Sequence, residues 1–142
     1  MTPETRASRA ADAMWNRDAA SQWLGMERVA VGEGTATLRL TIAAHHCNGH
    51  GTCHGGVIFA LADSAFAFAC NSRNEVTVAQ HAQVSFIAPG RLGDCLTAEA
   101  KEVSKQGKNG IYDVRVTGPS GVVAEFRGMS RTIRGQVFEE AP

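Results

Sequence analysis

A chain of 142 residues, 44% hydrophobic and 20% charged, fits one compact soluble domain. Lys plus Arg and Asp plus Glu each total 14. No net field therefore draws the chain to nucleic acid or to an anionic membrane surface, and any anionic ligand must be held locally.

Residues 2–24 are Ala-rich with interspersed charges. They predict a helical segment with Met14 and Trp15 on one packed side and Gly25 ending it. Glu4, Arg6, Arg9 and Asp12 leave no room for the apolar core of a signal peptide. No apolar run is long enough to span a bilayer, so a cytoplasmic location is expected. Residues 26–31 form a first strand, and Gly32-Glu33-Gly34 a hairpin turn. In residues 36–42, Ala36, Leu38, Leu40 and Ile42 alternate with Thr37, Arg39 and Thr41, the pattern of a half-buried strand.

Residues 55–70 are apolar or glycine except for Asp63 and Ser64. Ala, Leu and Phe favour a helix here, about 24 Å long at 1.5 Å per residue, and one so apolar on nearly all sides must be buried. Asn71 to Asn74 stop it. Four strands follow in hairpin spacing, over 76–87, 94–104, 111–117 and 122–133. Neither a repeat nor a linker divides residues 1–142. The expected class is α+β: an antiparallel sheet wrapped around one long central helix, the hotdog fold, with its remaining apolar surface closed by a second subunit.

The densest chemistry is HHCNGHGTCHGG, residues 45–56. A zinc site can be drawn from Cys47, His50, Cys53 and His54. However, the chain has no C-x-x-C pair, and no helix fixes the spacing before Gly55. Free thiols are expected in a reducing compartment. A plain loop with polar caps explains some of the residues but not Gly55-Gly56 at the mouth of a buried helix. A third reading uses the backbone. Free N–H groups at a helix start receive anions, glycine lets a ligand approach, and the Gly55 N–H becomes an oxyanion donor with His54 clasping the turn.

Asp63 is the second candidate. A lone carboxylate in an apolar helix is costly unless bonded, so it is either a satisfied core residue or a catalytic group whose pKa desolvation raises. It lies eight residues beyond Gly55, about 12 Å along the helix, too far for one carbonyl to touch both. If both act on one carbonyl, Asp63 comes from a second copy whose central helix runs antiparallel.

Asn48, His54-Gly55-Gly56 and Asp63 together resemble the hotdog acyl-CoA thioesterases, and in particular the phenylacetic acid degradation thioesterase group. NGHGTCHGGVIFALADSAFAFACNS, SFIAPGRLGDCLTAEA, KQGKNGIYDVRV and AEFRGMSR carry the likeness over roughly residues 20 to 135. The resemblance implies that Gly55 N–H holds the thioester oxygen, that Asn48 positions the lytic water or carboxylate, and that Asp63 of the facing subunit is base or nucleophile. It also implies a homodimer assembled into a homotetramer, with no metal or cofactor beyond the coenzyme A of the substrate.

The same likeness places the loop of Lys105, Gln106, Gly107, Lys108, Asn109 and Gly110 near the nucleotide. An ordinary solvated hairpin is the alternative. Arg91 is a further candidate for the phosphates, and Arg127, Arg131 and Arg134 are weaker ones. Phe59, Phe66, Phe68 and Phe86 are either acyl-pocket walls or plain core. His81 is expected near Asp63. The expected function is hydrolysis of phenylacetyl-CoA or its ring-hydroxylated forms in aromatic catabolism. A hotdog hydratase and a non-catalytic acyl-CoA sensor are the alternatives, the latter without a visible output module.

Overall fold

The computed structural model describes residues 1–141. The N-terminal segment is two helices, α1 (Pro3–Trp15) and α2 (Ala19–Leu24), where residues 2–24 were expected as one. Thr2 caps α1 through Thr5 N, with proline in its first turn. The break follows from Asp18, whose carboxylate accepts from Ser21 N and so starts a new helix. Gly25 closes α2 in the left-handed region at φ 85°.

Strand β1 (Glu27–Gly32) and strand β2 (Thr35–Thr41) form the predicted hairpin. The central helix α3 spans Gly55–Cys70. Then come β3 (Glu75–Phe86), β4 (Cys95–Gln106), β5 (Asn109–Gly118) and β6 (Gly121–Gln136). All pairings are antiparallel, and the strand order is β1-β2-β4-β5-β6-β3. One expected hairpin does not form: β3 pairs with β6, not β4, and stands at the edge. Its exit segment is anchored elsewhere. Cys53 N donates to Gly90 O at 2.8 Å, Thr52 bridges Arg91, and Gly90 packs on Ile42 and Cys53. The connection therefore crosses below the start of α3 before β4 begins.

The sheet wraps α3. Leu61, Ala62, Ala65, Phe66, Phe68 and Ala69 meet Leu38, Leu40, Leu96, Ala98, Val114 and Val116 in one core. Gly128 makes room for Phe66, since a Cβ there would lie 2.8 Å from the ring. Asn71 ends the helix, donating to Ala67 O and Thr77 O and accepting from Thr77 N. One stripe of α3 stays uncovered by this chain: Gly56 is exposed, and Phe59, Ala60, Asp63 and Ala67 are half-buried. No helix among the described residues is long and apolar enough to cross a membrane.

Candidate active site

The histidine-rich stretch folds as a small loop on a two-residue bridge. Cys47 and Cys53 pair across its base, and the loop returns the chain to the start of α3. Asn48 organises its tip. Its Oδ1 accepts from His50 N at 2.9 Å and Thr52 N at 3.3 Å, and its Nδ2 donates to Thr52 Oγ1 at 3.2 Å. One amide hydrogen remains for another acceptor. The four side chains of the drawn zinc site are not gathered. Cys47 Sγ donates to Ala43 O, Cys53 Sγ donates to His54 O, and one ring nitrogen of His54 is taken.

That nitrogen defines the turn. His54 is the N-cap of α3, and its Nδ1 accepts from Gly56 N at 2.9 Å, which leaves a neutral ring with its proton on Nε2. The His54 carbonyl accepts from Val57 N and Ile58 N. Among the described residues, the Gly55 N–H has no acceptor. It is left as a free donor at the positive end of a 16-residue helix. It opens on a cleft of about 300 Å³ lined by Cys53, Gly55, Ile58, Phe86, Ile87, Ala88 and Pro89. A Cβ on Gly55 would lie 3.1 Å from the Phe86 ring, so a side chain would fill the approach to the N–H.

His46, which sequence reasoning left without a role, supports this turn from behind. It is buried, its Nδ1 accepts from Ala43 N, and its Nε2 donates to Leu24 O at 2.7 Å. Its carbonyl accepts from His54 N. Its burial beside Leu24 depends on long-range packing, so no local pattern announces it.

Asp63 is half-buried on the uncovered stripe of α3, with no hydrogen-bond or ion-pair partner among the described residues. Burial holds its carboxyl above the ordinary value, and the nearby charge of Asp18 adds to the rise. Asp18 is tied to α3 itself. Ser21 Oγ donates to Asp18 Oδ2 at 2.6 Å and meets Ser64 Oγ at 2.8 Å. A helix N-cap three residues before a serine was the only sequence signal for this relay.

The other expected site residues divide between two ends of the sheet. Arg91 is exposed beside the Asn48 loop, bridged to Thr52, with its N–H on Asp94 Oδ2. The loop of residues 105–110 is elsewhere. In the ladder Gly110 pairs with Ser130 and Val116 with Ala124, while Ser130 and Ala124 face Ala79 and Phe86 of β3. Six positions at about 3.3 Å put the loop roughly 20 Å from Gly55 of the same chain. It stands instead with the C-terminal end of α3, where Asn71 bonds Thr77 and Arg73 pairs with Glu102.

Within that loop, Lys105 Nζ donates to Gly107 O and pairs with Glu75 at 3.6 Å. Gly107 makes the turn at φ 60°. Asn109 Oδ1 accepts from Gln80 and Arg131. Gly110 is a packing residue, because a Cβ would lie 2.6 Å from Ser130 Oγ. Gln106 and Lys108 are exposed. His81 is exposed on β3, where it alternates with the core-packed Ala82 and Val84 and so projects from the face away from α3. The structure does not gather it with Asp63. Of the phenylalanines, Phe66 and Phe68 are core; Phe59 lies edge-on to Phe126 at 5.4 Å, and Phe86 flanks Gly55.

Residues 50–125 match the thioesterase superfamily. The acyl-coenzyme A thioesterase PaaI of Escherichia coli (strain K12) is 44% identical over 133 residues, 92% of this chain and 94% of that protein. The chain belongs to the thioesterase superfamily. The fold agrees. The structure of the E. coli PaaI protein from the phenylacetic acid degradation operon superposes with a TM-score of 0.93 at 39% identity, covering 95% of this chain and 99% of that one. A variant of the phenylacetic acid degradation protein PaaI from Thermus thermophilus gives a TM-score of 0.77 at 34% identity, over 80% of this chain and 97% of that one. This thioesterase thus shares the hotdog architecture, and its Gly55 turn opens within the matched residues.

Proposed function

We propose that this chain is an acyl-CoA thioesterase that hydrolyses phenylacetyl-CoA or ring-hydroxylated phenylacetyl-CoA, in the cytoplasm, as a homodimer within a homotetramer. The observation that carries the reading is the turn at α3. His54 occupies the Gly56 N–H and leaves the Gly55 N–H free at the mouth of an apolar cleft. A thioester oxygen seated on Gly55 N–H is polarised by the donor and the helix end together. Asp63 of the facing subunit attacks the carbonyl carbon or takes a proton from the attacking water. The C–S bond breaks, the coenzyme A thiolate leaves and is protonated, and water supplies the oxygen of the free acid.

Asn48 keeps one amide hydrogen to orient that water or carboxylate. The uncovered stripe of α3 and the unpaired edge of β3 support a partner copy. The loop of residues 105–110 stands at the α3 end that an antiparallel partner would bring to Gly55. Its lysines and Arg91 are then the candidates for the phosphates of coenzyme A.

Thiol release from phenylacetyl-CoA, ring-hydroxylated phenylacetyl-CoA, benzoyl-CoA and straight-chain acyl-CoAs tests the reading in wild type and Asp63→Asn. Aryl thioester hydrolysis that collapses in a folded, normally assembled variant is the expected result. Measurable acyl-CoA binding with no thiol released from any substrate would leave a carrier and end the enzyme reading.

A further inference from the structure

Cys47 and Cys53 face each other at the base of the loop that carries Asn48. The flanking hydrogen bonds run from Asn48 N to Thr52 O and from His54 N to His46 O, both 2.8 Å. Neither cysteine bonds the other's backbone, so they are a non-hydrogen-bonded antiparallel pair. Cα atoms in such pairs lie about 4.5 Å apart with side chains on the same face, inside the range of roughly 4.4–6.8 Å that a disulfide spans. Both side chains pack against the core cluster. They are unequal, because Cys47 is half-buried and Cys53 is 4% exposed. Burial, with the charge of Cys47 adding to it, pushes the Cys53 thiol up to about 11.

We propose that Cys47 and Cys53 are a reversible thiol–disulfide pair that takes a hydroperoxide as oxidant and locks the base of the Asn48 loop. The more accessible Cys47 thiolate attacks the peroxide. The O–O bond breaks, an alcohol (water, for hydrogen peroxide) leaves, and Cys47 becomes a sulfenic acid. The sulfur of Cys53 then attacks Cys47. The S–S bond forms, the S–O bond breaks, and the hydroxide leaves as water with the proton of Cys53. Two thiols have lost two electrons and two protons, and the peroxide has been reduced. Closing the pair draws Cys53 toward Cys47, and Cys53 is the residue that precedes the His54-Gly55 turn. A displacement of the oxyanion donor approaching 1 Å can cost up to about 100-fold in rate.

The test treats the folded protein with hydrogen peroxide, then unfolds it and titrates its thiols. The wild type has four cysteines, and two thiols should remain. Cys47→Ser should keep all of its thiols, since its hydroxyl can still donate to Ala43 O and preserve the fold. Cys95→Ser should still lose two. Chymotryptic mapping of oxidised wild type locates the bond independently of any variant. The peptide of residues 41–59, which holds Cys47 and Cys53 but not Cys70, should be lighter by two hydrogens. Four surviving thiols in oxidised wild type, or equal thiol loss in Cys47→Ser, overturns the pair.

The rate arm alone rests on thioester hydrolysis. Oxidation should lower wild-type turnover roughly 10-fold or more, with recovery in dithiothreitol, and should leave Cys47→Ser unchanged. An unchanged rate in fully disulfide-bonded protein overturns the coupling to the site. A reduced protein with no hydrolysis at all refutes the proposed function and leaves the thiol result standing.

Discussion

Gly55 and Asp63 are eight residues apart on one continuous helix, so about 12 Å separates them along its axis. A thioester carbonyl is about a tenth of that length, and both groups can serve it only from different chains. Two variants that each lose one group test this directly. Gly55→Leu places a side chain in the cleft against Phe86 and Ile58, where even a Cβ is 3.1 Å from the ring. Asp63→Asn removes the carboxylate. Each is expected to be inactive alone. In a twofold dimer every site takes Gly55 from one chain and Asp63 from the other. A mixed dimer then holds one doubly altered site and one intact site. After full subunit exchange at equal amounts, half of the dimers are mixed and half of their sites are intact, so activity returns to about a quarter of wild type. Thiol release before and after exchange is the assay, with exchange followed by mass spectrometry of differently tagged chains. If exchange is complete and activity stays at the level of the separate variants, the shared-site argument is wrong.

The same carboxylate sets a stability prediction. A raised folded pKa means the native chain takes up this proton more readily than the unfolded chain. The burden is absent below the ordinary value of 3.8 and grows as pH rises through the raised folded value. In the dissociated chain Asp63→Asn should therefore stabilise near neutral pH by about 1 kcal/mol, or roughly 3 °C in Tm, and the gain should vanish in acid. The charge of Asp18 adds to the rise, so Asp18→Asn, which keeps the helix cap, should move the acid limb of kcat/KM to lower pH. Gly128→Ala drives a methyl into three atoms of the Phe66 ring at 2.8 Å, and thermal denaturation should show a loss of about 1–3 kcal/mol. Glu102 accepts from Arg73 and from Tyr112 Oη, and the guanidinium holds its carboxyl below the ordinary value of 4.5. Its stabilisation is complete above that value and is lost as pH falls through the lowered one. Glu102→Gln should cost about 2 kcal/mol at neutral pH, with the gap closing in acid.

The central helix could be read to the residue because its ends carry local signals. Gly55-Gly56 opens it, Asn71 closes it, and no turn residue lies between. Strand β2 was legible for a similar reason, since its alternation reports one buried face. The path of β3 was not. The turn after Phe86 looks like that of a hairpin, and only the anchoring of Gly90 on Cys53 and Ile42 sends the chain across to β4. The free donor at Gly55 was readable from glycine and helix physics, whereas the partners of Asn48 needed the loop closed by Thr52. The face that His81 takes was not legible, because a register shift between Ala79 and His81 resets which side chains face the core. The lysine loop was readable as a turn, but its distance from Gly55 is a property of sheet register, which no local composition encodes.

The uncovered face of α3 ties these features together. Gly56, Ala60, Asp63 and Ala67 follow one another at spacings of four, three and four residues, so they line one side of the helix. Small side chains there let a second helix come close, and Asp63 is the one charge it would meet. In a lone chain that carboxylate is half-desolvated with no partner, a standing cost to stability. Against an antiparallel copy it would face the N-terminal end of the other α3, where the positive helix end and the free Gly55 N–H favour negative charge. The same donor can then steady Asp63 between turnovers and hold the thioester oxygen during them. Dilution should reveal the dependence: specific activity should fall with dimer dissociation, monitored by sedimentation, before the circular dichroism of the helices is lost. Full activity in a demonstrably monomeric population would mean that Asp63 acts without the facing helix.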